Sequence, residues 1–458
     1  MHRFTLSVLP LLALSLVHCN SPTVIIDVDI DYWPSEAKTL LLVTTLNGQP
    51  GKEQRLSPDN RRLAVNLPAG AKGTVTVRLY GMDGGECIWA AGSLEVLLPT
   101  SLNRTEQYSV KMTRPADKTC SFTALSTDPP SLIGANAVWG RDADSVYVVG
   151  NSLTVLRCSG ASKSCRPLNL GSIVSGATDL QGVWGTDANS AFVVGTSGLV
   201  ARCTASASQC TEINYGAKAN ILNRIWGYDT ENIYVVGQGN FILRCSASTN
   251  DCVALKSSSI GVEFLGIWGS GAENVYAVGT GASVVRCRAS STTCDKLTIL
   301  NSPSVTRFNG VWGSDPLNVY AVGAGGAIVR CTAATSVCTP LKSGTLAPLN
   351  QVWGSDADNV YAVGDKTIVR CRAGSDTCTP LDSGLTPGSG SEFLSAWGSD
   401  ARNVYVVGTG GVVVRCAAGD DRCAPVTTNV KADLRAVFGT DSNNVYVVGV
   451  GTILRRRL

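Results

Sequence analysis

Eight times the chain repeats a phrase close to Trp-Gly-x-Asp-x-x-Asn-Val-Tyr-x-Val-Gly, followed by a short apolar run that ends in Arg. The aromatic positions are Trp139, Trp184, Trp226, Trp268, Trp312, Trp353, Trp397 and Phe438, at intervals of 41 to 45 residues. A period in the low forties with several short strands per unit fits propeller blades, whereas helical repeats of that length carry 3.6-residue apolar spacing. Within one repeat, Gln351 to Leu381, four apolar runs rich in Val, Ile, Tyr and Trp are separated by turn residues. They predict four strands, A to D, with A nearest the axis.

The ends of the array predict how it closes. The last repeat stops after strand C, at Ile453 to Arg456, while Thr119 to Leu125 supplies an orphan strand D. Joined, they complete one blade and remove the open sheet edges. The expected fold is therefore all-β: an eight-bladed β-propeller of four-stranded blades over 119–458, closed by N- and C-terminal strands. A linker over 114–118 joins it to a small β-sandwich within 19–113, where six or seven short apolar or alternating runs lie. Asp27, Asp29 and Asp31 share one strand face there, which reads as a solvated face or a calcium ligand set.

Of 17 cysteines, fourteen form seven pairs separated by seven residues: Cys158 with Cys165, Cys203 with Cys210, Cys245 with Cys252, Cys287 with Cys294, Cys331 with Cys338, Cys371 with Cys378, and Cys416 with Cys423. Each pair reads as a disulfide across the C-D hairpin, and such cysteine usage points to an oxidising compartment. Zinc is the competing reading, but one pair per radiating blade does not converge on four ligands. No metal or other cofactor is expected. Cys120 occupies the expected place of a strand D cysteine, yet its strand C counterpart is Arg456. Cys87 is then its expected mate, with a free thiol at either position as the alternative.

Residues 1–18 have a basic start, an apolar run from Leu6 to Val17, and an end at Cys19. They read as a signal peptide, too short to span a bilayer. Leu16-Val17-His18-Cys19 resembles a bacterial lipobox, with His18 departing from the small residue usual there. The resemblance implies lipidation of Cys19 and a membrane anchor, and Asn20 is similar to outer-membrane sorting signals.

Both histidines, His2 and His18, fall in the signal segment. A mature chain without imidazole is excluded from Ser-His-Asp hydrolysis, Cys-His proteolysis and His-ligated metal chemistry, so no catalytic residue is assigned. A net charge of +3, with no basic run except Arg455 to Arg457, argues against nucleic acid as a partner. That run reads as a solvated end. The repeated Asp three residues after the aromatic and the repeated Arg ending strand C read as a structural Asp/Arg girdle with turn capping.

Length variation sits almost wholly in the D-A segments, which also carry unrepeated side chains. Tyr215, Glu263, Phe264, Arg307, Phe308, Glu392, Phe393 and Arg435 are therefore the expected ligand-binding residues. The phrase from Val352 to Gly364 resembles the WG-type propeller repeats of bacterial secreted and surface lipoproteins, in the style of Asp-box, chromosome-condensation-regulator and tectonin repeats. The resemblance implies a propeller on the cell surface, and the tectonin likeness implies glycan or lipopolysaccharide binding. The expected function is that of a lipid-anchored outer-membrane protein that binds a glycan or an envelope or surface protein. The alternative is a glycosidase or lyase using D-A loop carboxylates such as Glu263 or Glu392.

Overall fold

The computed structural model describes 122–456 except 128–133, 172–175, 217–220, 302–304, 386–390 and 443, and before it 7–10, 23–30, 39–47, 49–57, 62–66, 72–82, 87–98, 106–112 and 119–120. Cys19 and the 114–118 linker lie outside these residues. The chain divides into two compact units, Met1–Ser121 and Phe122–Leu458.

In the first unit, one sheet has the order Ser7–Pro10, Arg62–Asn66, Thr23–Ile30, Glu106–Met112. The other runs Gln49–Leu56, Thr39–Leu46, Gly73–Met82, Cys87–Leu98, Thr119–Cys120. Leu63, Val65, Val110 and Met112 of the first sheet share one core with Leu40, Leu42, Val75, Val77 and Leu79 of the second. Asp27 pairs in register with Arg62 and Asp29 with Lys111, so basic neighbours flank this acidic strand. Cys87 stands directly opposite Cys120 in an antiparallel pair.

In the second unit the described residues form eight sheets, each with four antiparallel strands and three of them with a fifth, parallel strand at the edge. Sheet 2 shows the plan, with strand A at Leu180–Gly185, B at Ser190–Gly195, C at Val200–Thr204 and D at Gln209–Glu212. The A strands of sheets 1 and 3 to 8 are Ala135–Gly140, Leu222–Asp229, Phe264–Gly271, Phe308–Asp315, Leu349–Asp356, Phe393–Gly398 and Leu434–Asp441. Each lies against the next, and Leu434–Asp441 lies against Ala135–Gly140, so the succession closes on itself. Strand B is buried from its Val to its Gly because neighbouring sheets cover both of its faces, which is why Val-Tyr-Ala-Val-Gly reads as a continuous apolar run.

The Trp-Gly pair has a packing cause. A Cβ on Gly354 would lie 2.5 Å from the Trp312 ring of the preceding sheet, so each indole requires a bare backbone beside it. Trp312 in turn meets Trp353 at 6.3 Å between centroids, tilted by 38°. A Cβ on the second repeated glycine, Gly364, would lie 1.9 Å from the Pro348 carbonyl, where the incoming D-A segment crosses.

Closure departs from the sequence expectation in register. Strand D of sheet 8 is Phe122–Ala124, with Phe122 opposite Arg456 and Thr123 opposite Arg455. Phe122, not Cys120, therefore holds the cysteine-equivalent place, and Cys120 belongs to the first unit. The terminal arginines are not a solvated end. Arg455 and Arg456 are 9% and 0% exposed, because Arg455 bonds Gly160 O and Asn444 Oδ1 while Arg456 bonds Ser442 O and lies 5.4 Å over the Tyr405 ring.

The girdle is also wired differently. Asp356 accepts from its own turn, from Asp358 N–H at 2.9 Å and Asn359 Nδ2 at 2.8 Å. Six of the eight strand C arginines instead reach the next sheet's C-D hairpin, as where Arg202 donates to Ala247 O at 2.7 Å, Arg286 to Ala333 O at 2.8 Å and Arg370 to Asp420 O at 3.1 Å, while Arg157 and Arg415 donate to Ser145 Oγ and Arg402 O of their own A-B turns. Short Asp side chains are consumed by the local turn before a guanidinium can compete for them.

Strand B tyrosines are buried, and desolvation raises the pKa of Tyr147, Tyr234, Tyr276, Tyr320 and Tyr361 and carries Tyr446 up to about 12. A folded pKa above the unfolded value of 10.0 means the neutral phenol stabilises the fold fully below pH 10.0, and that this contribution is lost as pH rises toward 12. Tyrosinate absorbance followed with circular dichroism should therefore show these phenols ionising together with unfolding in that window. Smooth titration of all twelve tyrosines near pH 10 in a folded protein would refute their burial.

Candidate functional site at the A-B mouth

The side chains expected to bind ligand are mostly committed to the scaffold. Phe264, Phe308 and Phe393 each open a strand A and are 0% exposed, packed as core where four other repeats have Leu and the first has Ala135. They contradict the binding expectation, since a large aromatic at a loop junction is as readily a core anchor as a contact surface. Tyr215 donates to Gly198 O at 2.8 Å with its ring against the core between sheets 2 and 3. Glu263 and Glu392 accept from Asn223 Nδ2 at 3.2 Å and Asn350 Nδ2 at 3.0 Å. Arg435 donates to Asn136 Oδ1 at 2.7 Å, across the junction of sheets 8 and 1. Of the eight, Arg307 is left exposed with no side-chain bond of its own among the described residues.

Those bonds belong to a second inner wheel that sequence reasoning missed. Asn136, Asn223, Asn309 and Asn350 follow the first residue of strand A and donate to the backbone of the next strand A, at Leu180 O, Phe264 O, Leu349 O and Phe393 O, over 2.8 to 2.9 Å. The asparagine after the opening strand A residue in four of eight repeats was the available signal.

A cleft of about 390 Å³ lies on the opposite face, where strands A turn into B in sheets 1 to 3. The half-buried indoles of Trp139 and Trp184, 6.2 Å apart, form its floor, and Arg141, Thr186, Tyr228 and Asp229 its walls. The residue after the aromatic-Gly pair is Ser or Thr in all six other repeats, Thr186 of sheet 2 among them. Arg141 and Tyr228 are the two departures, and the cleft lies between them. Tyr228 is 57% exposed, its ring edge 4.0 Å from where a Cβ would stand on Gly271. Gly271 is also where the repeated Asp is missing, so that series gives way beside the exposed ring.

Asp229 is already engaged by Glu231 N–H at 2.8 Å and Asn232 Nδ2 at 2.9 Å, so it offers acceptor capacity rather than a free base. Farther along strand A, Arg224 replaces the small or neutral residue of other repeats. Its side chain reaches water, yet enclosing protein desolvates it and holds its pKa below the ordinary arginine value. Among the described residues no group of three or more His, Cys, Asp or Glu is placed to hold a metal ion. No helix among them is long and apolar enough to cross a membrane.

No family model and no curated protein matches the chain. Solved structures do resemble it. The computationally designed Ika8 protein superposes at a TM-score of 0.57 with 13% identity, over 73% of this chain and 100% of that one. YCF48 bound to D1 peptide gives 0.50 and 14%, over 75% and 99%. Virginiamycin B lyase from Staphylococcus aureus gives 0.51 and 13%, over 64% and 98%. At such identities the likeness shows the fold alone, a β-propeller.

Proposed function

We propose that this protein is a binding platform: an eight-bladed propeller, preceded by a β-sandwich and held to the outer membrane by a lipid on Cys19, whose A-B mouth takes a saccharide of a surface glycan. The observation that carries the reading is the cleft between Arg141 and Tyr228. Indole and phenol faces suit the apolar faces of a sugar ring, while a guanidinium, a hydroxyl and a carboxylate beside them suit its hydroxyls. The absence of histidine from a mature chain and the engagement of Glu263 and Glu392 in structural bonds favour binding over glycosidase or lyase chemistry.

A bacterial glycan and lipopolysaccharide array, probed with residues 20–458, tests this. Saturable binding should weaken about tenfold or more in Tyr228→Ala and in Arg141→Ala, with little change in Tm, because both side chains stand at the surface. Binding untouched by both substitutions would remove the cleft from consideration. Turnover abolished by Glu263→Gln or Glu392→Gln would establish the enzyme reading instead.

A further inference from the structure

An outermost strand presents unpaired N–H and C=O groups. Around this unit, the segment leaving strand D of one sheet covers strand D of the next. Asn169 N–H donates to Ser208 O at 2.9 Å and Asn169 O accepts from Cys210 N–H at 2.7 Å. Lys342 does the same with Asp376 O and Cys378 N–H, and Asp382 with Asp421 O and Cys423 N–H. In sheets 1, 4 and 5 the cover is a two-residue strand, Ser126–Thr127, Lys256–Ser257 or Thr298–Ile299. All six covers run parallel to the strand they protect.

Sheet 8 has no such cover among the described residues, its strand D, Phe122–Ala124, pairing with strand C alone. Sheet 3 also breaks the pattern. The segment that should cover it turns inward after Ile213: Asn214 Oδ1 accepts from Gly216 N–H at 3.0 Å, and Tyr215 is drawn to Gly198 O. Strand D, Asp251–Ala254, pairs among the described residues with its own strand C alone. Cys252 N–H, whose counterparts bond a covering carbonyl, is held by its neighbour's carboxylate, Asp251 Oδ1, at 2.8 Å. Val253 is 50% exposed. A cavity of about 250 Å³ lies alongside, with Glu231, Thr249, Asp251 and Val253 in its lining. The hydroxyls of Ser246 and Ser248 donate to Glu231 and hold its pKa below the usual carboxylate value.

We infer that the edge Asp251–Ala254 receives an extended segment of a partner protein as an added parallel strand, with a basic side chain seated between Glu231 and Asp251. The incoming N–H groups meet Asn250 O and Cys252 O, and an incoming carbonyl takes Cys252 N–H from Asp251, as the other covers do. Main-chain bonds supply the affinity, and the two carboxylates select the basic residue. This does not rest on the saccharide reading, since the two sites lie on different strands.

The probe is a fluorescent peptide copying Val253–Ile260 of this chain, whose Lys256–Ser257 is itself the cover of sheet 4. Against the intact, disulfide-bonded protein it should bind saturably and slow hydrogen exchange across 250–254. Methylating the peptide nitrogen of its lysine should abolish binding. The double variant Glu231→Lys with Asp251→Lys should weaken it about tenfold or more, while Tyr228→Ala leaves it unchanged. Equal binding of the methylated peptide, or binding without slowed exchange at 250–254, overturns the inference. So does protection of that stretch by self-association, which would assign the edge to a second copy.

Discussion

Reduced while unfolded, the chain is expected not to regain its native fold, whereas the folded protein should resist the same reductant. All seven bridges of the repeat unit span a C-D hairpin, and all fourteen of their cysteines are at most 5% exposed. A thiolate must reach a sulfur to exchange with it, so reduction has to wait for unfolding. In the chain-entropy view, a loop of this size is worth roughly 2.5 kcal/mol, and seven of them exceed the ~5–15 kcal/mol by which whole domains are stable. Strand D supplies few compensating contacts, since in Asp251–Ala254 the cysteine alone is buried. Circular dichroism and thiol counting after dilution from denaturant check this: native-like spectra with fourteen free thiols in the repeat unit would show that the bridges are dispensable.

The repeated part of this structure was legible because the same physical demand recurs eight times. An indole over a bare glycine, an Asp on its own turn and a cysteine pair across a hairpin each fix a position, so the strands and seven bridges could be read from spacing. Register at the closing sheet was not legible. Cys120 and Phe122 both fall on an extended stretch, and only the burial of Phe122 against Tyr405 decides between them. The site was less legible still. Loop-length variation points to unrepeated residues, and among these Phe264, Phe308 and Phe393 are core residues whose size merely differs from Leu. The departures that line the cleft are substitutions at constant length, Arg141 and Tyr228 after Trp-Gly, where five other repeats carry a Ser or Thr whose hydroxyl bonds the neighbouring Asp.

Sheet 8 carries the second large effect, because it lacks the bridge and holds the ring shut by packing. Phe122 is 4% exposed and meets Tyr405 edge to face at 5.7 Å, while Arg456, opposite Phe122, lies over the same ring at 5.4 Å. Phe122→Ala should cost about 3–5 kcal/mol, the usual range for a buried phenylalanine, and should act on the whole repeat unit because its first and last strands part. The cysteine-equivalent register offers the complement. Phe122→Cys with Arg456→Cys should form an eighth bridge, closing a loop of more than 300 residues, for which the entropy model gives about 5–6 kcal/mol against the same variant reduced. Oxidised, the double variant should melt well above Phe122→Ala. Ready formation of the bridge together with a Tm no higher than that of Phe122→Ala would mean that separation of these strands is not what unfolds the ring.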